Sequence, residues 1–380
     1  MDLIKTDILI IGAGVNGLLT AYNLVEHGVK DIVIVEKNYP GSGGTFRCAT
    51  GIRASFTSLE HITVMKRAIE LWRELSEKLG FEYRRDGYLW LISNEKDYEF
   101  FRKAVEFQNL NGVNTRFVDI YEIKEIVPYM NLDKVIAGVY DPLAGKADNF
   151  AIVTNTLKYL ASRGVRVMDY TETLRIMVKN GRACGVETNR GLIEANTIVV
   201  ACGWDSPQLL STIGLEVPIT NIPKHALITE AYKYSIKPLL IDWSSSSYLV
   251  QVFHGGILIG AEMETKYGGR VVNKIEYLYR ATSIWLKHFP WLANLNILRY
   301  WTGYYDTTPD HHPIIGPVDD YENLYLAIGF SGHGFMMAPA VGEALTQYIV
   351  YGKPLNDIFE KFRLERFRKG ELIKEIAVFG

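Results

Sequence analysis

Apolar positions along this chain follow two periods, and the switches between them mark its elements. Residues 6–11 (Thr-Asp-Ile-Leu-Ile-Ile) are a short continuous apolar run, which predicts a strand buried on both faces. Over residues 16–27 the pattern changes. Leu18, Leu19, Ala21, Tyr22, Leu24 and Val25 recur at helical spacing and stop at Gly28, a residue suited to a helix C-cap. Residues 31–36 are apolar again, a second buried strand, so the first stretch of chain reads as a βαβ unit. Ile62, Met65, Ile69, Trp72, Leu75 and Leu79 predict a long amphipathic helix ending at Gly80. Residues 81–92 alternate like a strand, and 95–112 return to helix. Short strands are expected at 165–168, 174–178, 184–188 and 197–201, with Asn180-Gly181 as a tight hairpin turn. Residues 218–301 read as mostly strand with one helix near 274–288, and a last helix runs from about 335 to Gly352.

Composition narrows the class. The chain has 380 residues, 48% hydrophobic and 22% charged. It is ordinary for a globular protein but too long for one compact core, so two interleaved domains are expected. The fold class expected is α/β (α+β): a Rossmann-like nucleotide domain with an inserted sheet-based substrate domain. A net charge of −2 supplies no field that would draw the chain to nucleic acid, and a small anionic substrate would need a local cation. Three cysteines without CxxC spacing give neither a disulfide framework nor a zinc site, and no metal is expected. The apolar runs fall far short of the roughly 20 residues that span a bilayer. Asp2 and Asp7 stand where a signal peptide would be basic. These features predict a cytoplasmic enzyme that is not an integral membrane protein, with peripheral membrane association left open.

The first chemical motif is Gly12-Ala-Gly-Val-Asn-Gly17, between the first strand and first helix. Gly12 allows the sharp turn, Gly14 lets a pyrophosphate approach the backbone, and Gly17 lets helix and strand pack closely. The free N–H groups and positive dipole end of the helix suit phosphate. Glu36, nineteen residues after Gly17, ends the second strand where a carboxylate can accept from a ribose. Pro40-Gly-Ser-Gly-Gly-Thr45 then offers a second close passage of backbone along an extended cofactor, where an NAD enzyme would continue with another βα unit. FAD is therefore expected.

The stretch from Gly41 to Arg53 (Gly-Ser-Gly-Gly-Thr-Phe-Arg-Cys-Ala-Thr-Gly-Ile-Arg) resembles the flavin-contacting segment of the D-amino acid oxidase/sarcosine oxidase superfamily. Within it, the chain is most similar to the catalytic β subunit of archaeal dye-linked L-proline dehydrogenases. Gly145-Lys-Ala-Asp148, Lys224-His-Ala226, Phe253-His-Gly-Gly256, Pro309-Asp-His-His-Pro-Ile-Ile-Gly316 and the run from Gly329 to Glu343 carry the likeness, which extends from residue 6 to the end. Heterotetrameric sarcosine oxidase β subunits and hydroxyproline dehydrogenases share several of these motifs.

The resemblance implies an FAD domain assembled from residues 1–80, 142–216 and 314–380. That domain would be of the glutathione-reductase kind, and residues 81–141 and 217–313 would form a mixed-sheet substrate domain. It further implies flavin contacts at Gly12, Gly14, Asn16, Gly17, Glu36, Lys37, Ser42, Gly44, Thr45, Arg47, Cys48, Gly203, Trp204, Gly332, His333, Gly334, Phe335 and Met336. The reaction implied is hydride transfer from the Cα of a small amino or imino acid to the flavin. Arg53 falls where related sarcosine oxidases hold the substrate carboxylate, a charge-assisted contact of about 1.5–3 kcal/mol per bond. A structural ion pair is the other reading of Arg53, with Arg47 the nearby alternative. His225 and Tyr248 resemble substrate-pocket positions, and His311 and His312 read as part of a structural turn.

Two departures bear on electron transfer. Gly303 stands where monomeric sarcosine oxidases carry a flavin-tethering cysteine, so FAD is expected to be non-covalent. Met336 and Leu258 stand where those oxidases carry lysines, and losing these charges should weaken oxygen reduction. The leading reading is a dehydrogenase for L-proline that passes electrons to an acceptor the sequence does not identify. Its alternatives are a D-proline or hydroxyproline dehydrogenase, a sarcosine or glycine oxidase, and a non-catalytic FAD-bearing subunit of a larger complex. A partner subunit or homo-oligomer is consistent with the resemblance, and FMN is expected only where such a subunit is present. Glycerol-3-phosphate oxidation would need a cation cluster that the sequence lacks.

Overall fold

A computed structural model describes residues 3–263 and 272–375. Its first sheet is centred on strand Ile4–Ile11, flanked in parallel by Ile32–Val35 and Gly191–Val200. Strand Ile32–Val35 is buried along its whole length, as a continuous apolar run requires. Strand Gly191–Val200 is shared along its length. Its first half pairs antiparallel with Arg182–Thr188, and its last residues pair parallel with Leu324–Ile328. The hairpin between Thr173–Lys179 and Arg182–Thr188 turns at Asn180 (φ 50°) and Gly181 (φ 75°), as the Asn-Gly pair predicts.

Helices cover this sheet. Val15–Glu26, Leu59–Leu79, Asn149–Ser162 and Gly334–Tyr351 bury one apolar cluster together, with Leu18, Leu19, Met65, Trp72, Ile152 and Val341 in its interior. Gly17 permits the closest approach: a Cβ there would lie 2.0 Å from the Gly12 carbonyl oxygen. Arg67 reaches from one helix to Glu343 of another with two bonds, 3.0 and 2.7 Å.

The second sheet runs Ile297–Thr307, Thr220–Ala231, Gly256–Ala261, Ser247–Gln251, Leu239–Asp242, Tyr88–Ile92, Ala137–Asp141, Arg116–Val118. Helix Ile275–His288 backs it, with Tyr277 donating to the Ile259 carbonyl (2.8 Å) and Trp285 to Ser247 Oγ (2.7 Å). A small third sheet of Gly51–Ile52, Gly145–Ala147 and Tyr83–Arg84 lies apart from both. Strands of the first sheet come from residues 4–35, 166–200 and 314–328, and those of the second from 88–141 and 220–307.

Three expectations change. The strand at 81–92 is two strands in different sheets, broken at Gly87 (φ 87°). Tyr88–Ile92 is wholly buried because it lies between two other strands inside the second sheet. Helix Gly334–Tyr351 is not the last: a 3-10 turn, Asp357–Phe362, and helix Glu365–Lys369 follow, anchored by buried Phe359 and Phe362. Helix Asn149–Ser162 was not anticipated, although Asp148 caps it by accepting from the Phe150 and Ala151 amides at 2.9 Å each. Part of the strand-rich region read at 218–301, residues 264–271, lies outside the described residues.

Candidate active site

A cavity of about 460 Å³ runs from the carboxyl ends of the first-sheet strands to the face of the second sheet. At its first end Glu36 closes strand Ile32–Val35. Its Oε2 accepts from the Ala13 amide (3.1 Å) and its Oε1 from the Asn38 amide (2.9 Å). Gly12 takes φ 107°, and a Cβ there would strike the Ala201 carbonyl at 2.4 Å, so only glycine makes this turn. Gly14 caps helix Val15–Glu26 without a side-chain bond, and no acid sits in that helix's first turn. The N-terminal dipole is therefore not offset by a local carboxylate.

Three distant segments are fastened here. Gly41 N donates to the Ala13 carbonyl (3.0 Å), Val15 N to Thr45 Oγ1 (3.0 Å), and Asn16 Nδ2 to the Gly334 carbonyl (3.1 Å). Gly203 and Trp204 close the wall, with Arg47 5.6 Å above the Trp204 ring and Lys37 paired to Asp205 at 2.5 Å.

The far end of the cavity is built from the second sheet. Lys224, His225, Tyr248, Trp301 and Tyr305 line it, with Tyr88 and Met336. Gly260 leaves room for the Tyr248 ring, since a Cβ there would sit 2.1 Å from Tyr248 Cζ. Gly332 does the same for Tyr305, at 2.5 Å. Burial raises both phenols well above their ordinary range, so each stays protonated and can donate. His225 lies on the Tyr277 ring with Nδ1 2.8 Å from Thr302 Oγ1. Burial, then the charge of Lys274, lowers its pKa, so the ring is neutral at pH 7. Asn16 Oδ1, Thr50 Oγ1, Thr173 Oγ1 and His225 Nε2 are buried with no hydrogen-bond partner among the described residues, and all four side chains belong to the cavity wall or its edge. Such a wall suits a polar ligand.

Comparison with known proteins agrees with this geometry. Residues 7–348 match the family described as FAD dependent oxidoreductase. The chain belongs to that family. The crystal structure of L-proline dehydrogenase from P. horikoshii is 37% identical and superposes with a TM-score of 0.93, covering 98% of this chain and 100% of that one. Sarcosine oxidase subunit beta of Rhodobacter capsulatus is 27% identical over 99% of this chain and 92% of its own length. Glycine oxidase from Bacillus cereus shares the fold at 22% identity, with a TM-score of 0.84 over 94% of this chain and 98% of that one.

FAD fits the cavity of this FAD-dependent oxidoreductase. The bare helix start can take a pyrophosphate, Glu36 can take a ribose, and the unpartnered polar atoms face the groove. Gly12, Gly14, Asn16, Glu36, Lys37, Ser42, Gly44, Thr45, Arg47, Cys48, Gly203, Trp204, Gly332, Gly334, Phe335 and Met336 all line it, as do His225 and Tyr248. Surrounding protein pushes the Cys48 and Cys202 thiols up to about 12, so neither is a thiolate nucleophile at neutral pH.

Three residues expected to contact ligand lie behind the wall. Gly17 packs on Gly12. The His333 ring turns away into a buried cluster against Phe56 and His61. Arg53 is 1% exposed, its guanidinium 3.8 Å over the Phe56 ring and its Nη1 donating to the Ser55 carbonyl (2.7 Å). Among the described residues, Arg47 and Lys224 are the cations in the wall beside His225 and Tyr248. The sequence reading did not single out Lys224 or Tyr88 as wall residues. Nor did it find Thr171, Glu172, Thr173 and Thr212 beside Glu36 and Lys37. Only strand pairing across long separations brings those residues to the groove.

Proposed function

We propose that this FAD-dependent oxidoreductase is a dehydrogenase of a small amino or imino acid, L-proline before others, that passes electrons to an acceptor other than oxygen. The similarity to L-proline dehydrogenase along the full length of both chains carries this reading. Bound flavin supplies the hydride acceptor. The protein's own part is to hold the substrate Cα against it and to exclude water. Arg47 gives the carboxylate its counter-charge in the wall, with Lys224, itself paired to Glu262, beside it and Arg53 one layer behind. Neutral His225 can accept from the substrate nitrogen, and Tyr248 and Tyr305 can donate. Leu258 is buried in an apolar cluster with Val250 and Ala226, and Met336 is in the wall, so neither position brings a charge to promote oxygen reduction.

In this reading FAD is held non-covalently. Gly303 is in the wall under the Arg47 side chain, and the buried thiols Cys48 and Cys202 stay protonated. The FAD domain comprises residues 1–80, 142–216 and 314–380, and the remainder is the substrate domain. The similarity to a sarcosine oxidase subunit supports assembly with a partner chain.

Anaerobic addition of L-proline to the flavin-loaded chain should bleach its visible band faster than D-proline, hydroxyproline, sarcosine or glycine. Under air, dye reduction should exceed peroxide formation. Equal rates of the two would make the chain an oxidase, and bound flavin that none of these amines bleaches would make it a non-catalytic carrier.

A further inference from the structure

Behind the flavin cavity, under the first turn of helix Leu59–Leu79, a second group of ligand-bearing side chains converges. The ring nitrogens of His61 and His312 and a carboxylate oxygen of Glu375 lie within 4.8 Å of one another, so one point is within about 2.8 Å of all three. Zinc bonds to nitrogen and oxygen are about 2.0–2.2 Å, a closure that small side-chain rotations supply.

The cluster holds more lone pairs than protons. His312 Nδ1 lies 2.7 Å from the Asp310 carbonyl oxygen, which can only accept, so Nδ1 carries the proton and Nε2 is a lone pair. Arg366 fixes Asp310 in turn, at 2.8 and 3.0 Å. His312 Nε2 is 3.1 Å from Ser58 Oγ, and the same hydroxyl is 2.7 Å from Glu375 Oε2. Its single proton can serve only one of them. His61 is fully buried and stacked on Phe56 at 3.7 Å, and neither of its ring nitrogens has a hydrogen-bond partner among the described residues. Two buried imidazoles and a half-buried carboxylate facing one another are costly unless a cation joins them. A histidine whose other N–H is anchored on a backbone carbonyl is also the usual support of a metal ligand.

We propose that His61, His312 and Glu375 bind one zinc ion in a structural site. Two imidazoles and one carboxylate suit zinc better than magnesium or calcium, and Ser58 Oγ or water can complete the tetrahedron. The proposed site uses none of the three cysteines. Glu375 also accepts from the Thr57 (2.9 Å) and Ser58 (3.0 Å) amides, so zinc would clip the chain near its C-terminus to the start of helix Leu59–Leu79 and to the turn before His312. His333, inside the flavin-lining run, packs 5.0 Å from His61. This inference is independent of which substrate the enzyme takes.

The flavin-loaded full chain should be stripped with a chelator, reloaded with zinc sulfate and desalted, then assayed for zinc by mass spectrometry. About one zinc per chain is expected. Less than a tenth of that is expected in His61→Asn and in Glu375→Gln, each judged folded by its flavin content. Zinc near zero in the reloaded wild type, or undiminished in both folded variants, would overturn the proposal. Should neither variant fold, X-ray absorption of the zinc-loaded wild type decides. Two imidazoles with otherwise oxygen ligands support the site, and a sulfur ligand or a shell without imidazole sinks it.

Discussion

The three motif glycines do different work, and their substitutions should separate folding from cofactor binding. A Cβ at Gly14 would meet only Thr45 Oγ1, at 3.4 Å, in a backbone conformation open to any residue. Gly14→Ala should therefore fold with near-normal stability while binding FAD at least tenfold more weakly, because the added methyl lies where the pyrophosphate approaches. At Gly17 the Cβ would sit 2.0 Å from a carbonyl oxygen that cannot move without parting helix from strand. Gly17→Ala should lose several kcal/mol of stability, read as little soluble chain or a collapsed melting temperature. Equal melting temperatures for the two variants would refute this division of labour. The motif's spacing made these roles legible in the sequence. Burial of Arg53 was not legible, since nothing in its neighbours reveals that Phe56 and Trp90 close over it.

Elements hold the site through a few contacts between helices far apart in the chain. Trp72 is fully buried in helix Leu59–Leu79, and its Nε1 donates to the Met336 carbonyl (2.9 Å) in the first turn of helix Gly334–Tyr351. Trp72→Phe keeps most of the ring but leaves that bond unmade, at about 1–2 kcal/mol. Loosening this turn, which carries Gly334, Phe335 and Met336 into the flavin cavity, should also raise the FAD dissociation constant several-fold. Calorimetry and flavin fluorescence would check both effects, and a melting loss with unchanged flavin affinity would confine the bond to stability. Several helices were readable from period and a closing glycine: Gly80 ends the long helix as its sequence suggests, and Ser58 caps its start. Strand 81–92 misled because its alternation masks a change of sheet at Gly87, and a change of sheet leaves no periodic mark.

The stability of the whole molecule should carry a pH signature from Asp306. This carboxyl lines the cavity and accepts from the Gly329 amide (2.8 Å). Burial, only partly offset by backbone hydrogen bonds, raises its pKa to about 6. An unfolded aspartate titrates near 3.9. The folded state thus binds the extra proton between these values, and stability falls as pH rises from about 4 to about 6, then levels. Asp306→Asn removes that slope, so its stability relative to wild type should rise by about 2–3 kcal/mol over this interval. Parallel denaturant titrations at pH 4.5 and 7.5 measure it, and an unchanged difference would place the ionised carboxylate at no cost in the fold.

By itself, the sequence determined what depends on neighbours within a turn or two: the βαβ unit, the glycine-built phosphate loop, the Asn-Gly hairpin, the helix-ending glycines Gly28, Gly80 and Gly352, and Glu36. Local sterics and periodicity fix those features, so few residues suffice to read them. Tertiary structure decided what depends on packing across hundreds of residues. It placed Thr173 beside Glu36, Lys224 beside Arg47, Arg53 behind the wall, and His61 against His312 and Glu375. These meetings are set by strand order and helix docking, and burial in three dimensions, not adjacency in the chain, gives each its charge state and its partner.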